Sequence, residues 1–159
     1  MMLLFYSRKS PRIPNYDYSG ENFYFITICT YNRRCIFGSP EKLNPKGEIA
    51  KVHMEQLDLH YSNVRLDKYV IMPNHIHLIL QLTSGGENNA EQIIAQYKSG
   101  VSKEIRKNHP GMRIWQRSFH DHVIRCQEDY ERIWNYIDGN PQCWDKDCFY
   151  VDPSIIQGE

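Results

Sequence analysis

The sequence lacks a net charge, a paired cysteine motif and a long hydrophobic run. Its 19 basic and 19 acidic residues cancel, so the overall charge indicates no nucleic-acid partner. The five cysteines include no C-x-x-C pair, which argues against a disulfide framework and favours a reducing, cytoplasmic location. The apolar residues 1–5 are too few for a signal peptide or a membrane span, so we expect no membrane partner.

The chain is long and apolar enough to form one folded domain. It has 159 residues, of which 41% are hydrophobic and 13% aromatic, and this composition argues against disorder. We expect a single domain over residues 1–159, with an N-terminal arm at 1–20, a core at 21–141 and a tail at 142–159. The acidic tail shows no pattern that indicates a role.

Residues 69–82, Tyr-Val-Ile-Met-Pro-Asn-His-Ile-His-Leu-Ile-Leu-Gln-Leu, are the most informative stretch. From Asn74 onward, His75 and His77 share one face with positions 79 and 81, while isoleucine and leucine occupy the other face. This alternation predicts a half-buried strand. Histidines at i and i+2 lie about 7 Å apart along a strand and can converge on a divalent metal. Two structural, half-buried histidines are the alternative for such a pair taken alone.

A second informative element, residues 129–141, is predicted to be a helix that glycine and proline bring to an end. Ile133 and Ile137 recur at helical spacing. Tyr136 and Asn140 are four residues apart, so they project from the same side of the helix. A tyrosine hydroxyl and an amide oxygen that face two histidines form a set suited to metal-assisted phosphoryl transfer.

The order of elements predicts the fold class. The predicted strands are 23–30, 64–72, 74–82 and a short strand within 114–125, and the predicted helices are 45–60, 90–107 and 129–139. We expect Ile49, Val52, Leu57 and Leu59 to form the apolar side of the first helix. This order indicates an α+β, ferredoxin-like antiparallel sheet (β-α-β-β-α-β). Two helices cover one face, and the late C-terminal tyrosine helix covers the face with the histidines.

Three blocks of the sequence resemble a known family. Residues 72–79, Met-Pro-Asn-His-Ile-His-Leu-Ile, resemble the HUH motif of the single-tyrosine transposases, which act on single-stranded DNA. Residues 115–125, Trp-Gln-Arg-Ser-Phe-His-Asp-His-Val-Ile-Arg, and 136–141, Tyr-Ile-Asp-Gly-Asn-Pro, resemble the REP-associated branch of that family. The resemblance extends from about residue 12 to residue 152 in the family's order, and the three blocks together make it specific.

The resemblance and the chemistry of the residues lead to one expected mechanism. Tyr136 attacks a phosphodiester and forms a covalent phosphotyrosine. His75, His77 and the side-chain oxygen of Asn140 hold Mg²⁺ or Mn²⁺, which polarises the scissile phosphate. The family resemblance further implies a 5′-phosphotyrosine, a free 3′-hydroxyl and a hairpin-bearing single-stranded DNA substrate. It leaves both a monomer and a homodimer open.

Two other functions remain as alternatives. The chain could be a catalytically inactive nucleic-acid-binding domain of the same fold, although a decayed copy has little reason to retain His75, His77, Tyr136 and Asn140 together. It could also be a small metal-dependent phosphoesterase in which Tyr136 only packs. The basic stretch 98–125, with seven basic and two acidic residues, argues mildly against such a small substrate.

Other residues compete for these roles. Tyr130 is a second candidate nucleophile, but it points to a different side of the helix and lacks an amide four residues later. His120 and His122 form another His-x-His pair with no third ligand at helical spacing. We interpret His122 as a residue that supports the metal site or contacts DNA, and His120 as a surface residue.

A zinc site is a further alternative for the second histidine pair. His120 and His122 together with Cys126, Cys143 and Cys148 are ligands of suitable softness. The cysteine spacing, however, differs from that of paired zinc knuckles.

DNA contacts are expected from the basic residues of the arm and of the stretch 98–125. The candidates are Arg8, Lys9, Arg12, Lys98, Arg117, His122 and Arg125. A solvated helix face and an arm that packs over the sheet are the alternatives for these charges.

Overall fold

The computed structural model describes residues 22–83 and 86–152. The strands are β1 (Asn22–Cys29), β2 (Val64–Met72), β3 (His75–Leu82) and β4 (His120–Ile124). The helices are α1 (Pro45–Glu55), α2 (Leu57–His60), α3 (Ala90–Arg106) and α4 (Gln127–Gly139). Short 3₁₀ helices occupy Tyr31–Arg33 and Pro141–Lys146.

The strands form one antiparallel sheet in the order β2-β3-β1-β4. Helices α1 and α2 connect β1 to β2, and α3 connects β3 to β4. These connections give the β-α-β-β-α-β order of a ferredoxin-like α+β fold. The predicted fold class is therefore confirmed.

The two faces of the sheet carry different cores. The larger cluster takes from β3 the residues Ile76, Leu78, Leu80 and Leu82, and adds buried residues of α1 and α3. The smaller cluster consists of Phe25, Ile79, Ile124, Ile133 and Ile137. Helix α4 supplies the last two of these residues, so it covers the second face. His75 and His77 alternate with the aliphatic residues of the larger cluster and therefore lie on the α4 face, as the pattern of β3 predicts.

The first helix differs from its prediction. We predicted one helix to residue 60, but the structure has α1 and α2 with a break between them. Two residues predicted for the apolar side are exposed, Val52 at 50% and Leu59 at 81%. The buried residues of α1 are instead Gly47, Ala50 and Met54. The prediction is right for Leu57, which is buried, and for Ile49, which packs against the core, and it is wrong for Val52 and Leu59. It counted only large aliphatic residues, whereas the buried side of α1 includes the small residues Gly47 and Ala50.

Gly47 shows why a small residue is needed in α1. A Cβ at this position would lie 2.3 Å from the carbonyl oxygen of Phe37, too close for any larger residue. The Asn44 side chain accepts a hydrogen bond of 2.9 Å from the Gly47 N–H and caps the helix. The cap and the close approach together fix the start of α1 against the chain that follows β1.

Helix α4 docks on β2 through polar contacts as well as through the small apolar cluster. Lys68 on β2 forms an ion pair of 2.7 Å with Asp138 and lies 4.6 Å from the centre of the Trp134 ring. Tyr130 donates a hydrogen bond of 2.7 Å to Asp67 on the same strand. The helix is therefore held on the sheet of its own chain. Within the described residues, no helix combines the length and the apolarity needed to cross a bilayer.

Candidate metal and nucleophile site

The histidines of β3 form the centre of a buried polar site. Both His75 and His77 are fully buried, and their ring centres are 4.6 Å apart. Burial is unusual for such polar side chains unless every polar atom has a partner. The partners of each ring nitrogen therefore define what the site can bind.

Asn74 sets the tautomer of His75. The Asn74 amide nitrogen donates to two backbone carbonyls, those of Arg33 at 3.1 Å and Phe149 at 2.8 Å. Its oxygen consequently faces His75 Nδ1 at 2.8 Å and can only accept. His75 therefore carries its proton on Nδ1, and Nε2 presents a lone pair of the kind that binds metals.

His77 connects the strand to the tyrosine of α4. Its Nδ1 lies 2.8 Å from the hydroxyl of Thr27, which is directly opposite on β1. Its Nε2 lies 3.2 Å from the hydroxyl of Tyr136. The Tyr136 side chain is half-buried, and its ring centre is 5.2 Å from the imidazole centre. The structure thus brings the predicted nucleophile into contact with one of the predicted metal ligands.

Asn140 reaches the site from the end of α4, where it is only 2% exposed. Its amide nitrogen donates to Asp147 Oδ2 at 2.6 Å. That carboxylate oxygen lies 3.7 Å from His75 Nε2, and the side chains of both residues are fully buried. Asp147 was not predicted as a site residue. It lies in the tail, for which the sequence indicated no role.

Two buried atoms of this site have no hydrogen-bond partner among the residues that the structure describes: His75 Nε2 and Asn140 Oδ1. An unpaired buried acceptor is costly, and a bound ion can supply the missing partner. One ligand atom each from His75, His77 and Asp147 lie within 4.8 Å of one another. Imidazole nitrogens with amide and carboxylate oxygens suit Mn²⁺ or Mg²⁺. The residues present therefore fit a divalent cation.

The charge state of the histidines favours metal binding at neutral pH. Burial lowers the pKa of His75 to about 4, against the opposing effects of the Asp147 carboxylate and the nearby Asn140 amide. Burial also lowers the pKa of His77, and the neighbouring His75 lowers it further. Both imidazoles are consequently neutral, which is the form that coordinates a metal.

Aromatic residues and one arginine surround the site. Phe149 and Trp144 lie beside His75, with ring centres 4.6 Å and 5.9 Å from the imidazole centre. The guanidinium of Arg33 lies 5.5 Å from the centre of the Phe149 ring, and its charge contributes to the lowered pKa of His75. Arg33 is thus a cation beside the site, where a phosphate oxygen would need one.

Tyr130, the competing tyrosine, lies towards the other end of the sheet. Its ring contacts Phe23, with centres 5.5 Å apart, and Phe23 pairs with Gln81 on β3. Gln81 is four residues from His77, a separation of about 13 Å along a strand. Burial and the hydrogen bond to Asp67 raise the pKa of Tyr130 to about 12. Its hydroxyl is therefore engaged in holding α4 on β2.

The comparison with known proteins assigns the family. The family model described as "Transposase IS200 like" matches residues 21–140, which is most of the chain. The chain belongs to this family. The family resemblance predicted from the three sequence blocks is confirmed.

Relatives and solved structures agree with this family. An uncharacterized protein of Haemophilus influenzae is 34% identical over an alignment of 169 positions. The alignment covers 91% of this chain and 94% of that protein. A second protein of that organism, provisionally named a REP-associated tyrosine transposase, is 39% identical over 80 residues, 45% of this chain and 46% of that protein.

Two solved structures share the fold of this IS200-like chain. A REP-associated tyrosine transposase bound to a REP hairpin has a TM-score of 0.58 at 21% identity, covering 82% of this chain and 73% of that one. A provisionally named transposase from Deinococcus radiodurans has a TM-score of 0.53 at 15% identity, covering 82% and 97%. At these identities the similarity shows the fold alone.

The second His-x-His pair lies on the same face of the sheet as the site. His120 pairs with Thr27, which also pairs with His77, so the three residues form one row across the strands. His120 is half-buried, not a surface residue as predicted. His122 Nε2 forms a hydrogen bond of 2.7 Å with Asp129 in the first turn of α4, which holds the start of that helix.

The zinc alternative is wrong for the residues that the structure describes. Among them, the one group of three histidine, cysteine or acidic residues close enough to hold a metal is His75, His77 and Asp147. The proposed cysteine ligands are instead exposed and free, namely Cys126, Cys143 and Cys148.

The predicted DNA contacts occupy several places. The Lys98 ammonium donates to the carbonyls of Gln116 and Ser118, each at 2.8 Å, and so supports the loop before β4. It also lines a cleft of about 540 Å³ with Lys103 and Arg106 of α3 and with Lys107, which follows that helix directly. Arg117 and Arg125 are exposed. Arg8, Lys9 and Arg12 lie outside the described residues.

Proposed function

We propose that this IS200-like chain cleaves and rejoins single-stranded DNA through a covalent phosphotyrosine at Tyr136. Mg²⁺ or Mn²⁺, held by His75, His77 and Asn140, serves the reaction. The observation that carries the proposal is the contact of 3.2 Å between the Tyr136 hydroxyl and His77 Nε2. This contact joins a nucleophile to a buried set of metal ligands in a member of a transposase family.

Each step of this reaction uses a group of the chain itself. The Tyr136 oxygen loses its proton and attacks phosphorus, the bond from phosphorus to the 3′ oxygen breaks, and that oxygen takes up one proton to become a free 3′-hydroxyl, so no net proton is gained or lost. The 5′-phosphate stays on the tyrosine, and attack by a 3′-hydroxyl reverses the step and rejoins the strand. A bound divalent ion would neutralise charge on the phosphate and on the developing phenolate.

The remaining side chains prepare the nucleophile and the phosphate. A phenol has a pKa of about 10, so its hydroxyl needs help to react at neutral pH. Neutral His77 has one lone pair at Nε2, so a bound metal would replace its hydrogen bond with Tyr136 and leave the hydroxyl, now 3.2 Å away, beside the ion. The Thr27 hydroxyl on Nδ1 fixes the ring. Arg33 supplies a positive charge beside the site for a phosphate oxygen.

The substrate we propose is a single strand that carries a hairpin. The solved relative described as bound to a REP hairpin supports this choice, and the cations of α3 provide a surface suited to a phosphate backbone. We further propose that one chain supplies the whole site. The ion pair between Lys68 and Asp138 and the burial of Ile133 and Ile137 support docking of α4 on its own sheet.

The test is capture of the covalent adduct. Hairpin oligonucleotides with randomised single-stranded flanks are labelled at the 3′ end and incubated with protein and Mn²⁺. We expect a labelled protein–DNA species in denaturing gels, because the 5′-phosphate and the downstream DNA stay on Tyr136. A 5′ label should instead give a free fragment that ends in a 3′-hydroxyl. Chelator should abolish both products.

Tyr136→Phe keeps the ring but removes the attacking oxygen, so it should reduce adduct formation below detection. Tyr130→Phe is the matched control and should retain the adduct. An adduct that survives Tyr136→Phe would show that the nucleophile is another residue. Full cleavage in chelator would show that the histidines do not act through a metal.

A further inference from the structure

The amide of Asn140 has two chemically different ends, and only the oxygen can bind a cation. A rotation of the amide by 180° would present the NH₂ group to the site and repel a metal ion. Something in the protein must therefore select the orientation. Asp147 Oδ2 lies 2.6 Å from the amide nitrogen, and a carboxylate can only accept hydrogen bonds. This contact holds the NH₂ group at Asp147 and leaves Oδ1 as the unpaired end.

Asp147 is itself fixed by a short turn. Its Oδ1 accepts a hydrogen bond of 2.8 Å from the backbone N–H of Phe149, and its side chain is fully buried. The carbonyl of Phe149 in turn accepts from the Asn74 amide at 2.8 Å, and Asn74 sets the tautomer of His75. The turn that contains Asp147 and Phe149 therefore supports two of the proposed ligands, Asn140 directly and His75 through Asn74.

We propose that Asp147 is a positioning residue for the metal site: it orients the Asn140 amide so that its oxygen faces the cation. The inference rests on the metal site of the proposed function and extends it to the tail of the chain. A carboxylate behind a ligand both fixes its direction and strengthens it as a donor, and loss of such a partner typically weakens metal binding by about 10–100-fold.

Direct coordination by Asp147 is the competing role. Its Oδ2 lies 3.7 Å from His75 Nε2, close enough to share a cation with that nitrogen. Each carboxylate oxygen accepts one hydrogen bond, from Asn140 and from the Phe149 backbone, and keeps a second lone pair, so these contacts are compatible with either role. The two roles differ in one measurable respect: positioning acts only when Asn140 is present.

The experiment is a double-mutant cycle on Mn²⁺ affinity without DNA, read from the electron paramagnetic resonance signal of free Mn²⁺. The proteins are wild type, Asp147→Asn, Asn140→Ala and the double variant, with Asp145→Asn as the exposed control two residues earlier. In Asp147→Asn one acceptor must serve two donors, so the amide of Asn140 loses its fixed orientation. Circular dichroism reports folding, and Asp147→Ser replaces Asp147→Asn if the latter does not fold.

We expect Asp147→Asn to weaken Mn²⁺ binding about 10–100-fold, and the double variant to bind no more weakly than Asn140→Ala. The Asp145→Asn control should bind as wild type does. Wild-type affinity in Asp147→Asn, or additive losses in the double variant, would overturn the positioning role.

The result separates this inference from the proposed function. If Mn²⁺ binding is absent from wild type or unaffected by His77→Ala, the metal site is wrong and the positioning role of Asp147 falls with it. If Mn²⁺ binds and the cycle is non-additive but no adduct forms with DNA, the inference stands and the proposed function fails.

Discussion

The two faces of β3 are built from one strand but are held in different ways. On the α3 face, aliphatic residues at every second position pack against helices over the full length of the strand. On the α4 face, only Ile79 joins an apolar cluster, and His75 and His77 depend on individual hydrogen bonds. The α3 face is stabilised by the burial of apolar area, and such packing tolerates exchanges among hydrophobic side chains of similar volume. The α4 face depends on the direction of particular lone pairs, so it does not tolerate such exchanges.

This comparison explains where function can reside in such a small sheet. Burial of neutral imidazoles and a carboxylate costs free energy that their hydrogen bonds must offset, because the apolar cluster on the α4 face is small. The larger cluster on the other face supplies the stability that permits this cost. Changes on the two faces should therefore have separable effects, on stability for one and on the site for the other.

The largest stability effect is expected from Leu78→Ala on the α3 face. Leu78 is fully buried in the larger cluster, and such a truncation typically costs about 2–5 kcal/mol of unfolding free energy. Urea denaturation measures the loss, and the folded fraction should still form the covalent adduct. Leu59→Ala is the matched control, because Leu59 is 81% exposed and its truncation should change stability little. Loss of the adduct in folded Leu78→Ala would show that the faces are coupled.

Sequence patterns predicted the features that repeat along a single element. The period of β3 assigned His75 and His77 to one face, and the spacing of four residues brought Tyr136 and Asn140 to one side of α4. The error in the first predicted helix also has a physical cause. Hydrophobic periodicity does not register a helix that packs through glycine and alanine, such as Gly47 and Ala50.

The parts of the site that were missed join residues distant in sequence. Asn74 contacts the carbonyl of Phe149, 75 positions later, and Asp147 reaches Asn140 across the turn that follows Pro141. Such contacts leave no period and no local signature. One signal was available: Asp147 is an acidic residue close after the tyrosine block, where the chain must return past the end of α4.

The second-largest effect is expected in the free energy of unfolding as the pH falls, because His75 is buried on the α4 face. The pKa of His75 falls from 6.5 unfolded to about 4 folded, which corresponds to about 3 kcal/mol. The folded state resists protonation, so the unfolded state binds more protons between these values. In chelator, stability should be full above about pH 6.5 and fall progressively towards pH 4. Urea denaturation at a series of pH values measures this loss.

The matched control for this pH effect is His60→Gln, which removes an imidazole that is exposed on α2. A divalent ion that binds neutral histidines should also lose affinity over the same range. Stability that does not change between pH 6.5 and 4 would mean that His75 is protonated as readily in the folded chain as in the unfolded one.

The smallest change in stability is expected for Tyr130→Phe, which distinguishes the role of Tyr130 from that of Tyr136. Tyr130→Phe removes the hydrogen bond of 2.7 Å to Asp67 but keeps the ring against Phe23. Asp67 keeps the ion-pair contact of 3.1 Å between its other oxygen, Oδ1, and Arg65, so part of its charge remains compensated. The loss should therefore be about 1 kcal/mol of unfolding free energy. Because Tyr136 and its contact with His77 lie at the other end of the helix, adduct formation by the folded protein should be unchanged. A loss of the adduct larger than the loss of stability would mean that the position of Tyr136 depends on the anchor at Tyr130, and that the two ends of α4 do not act independently.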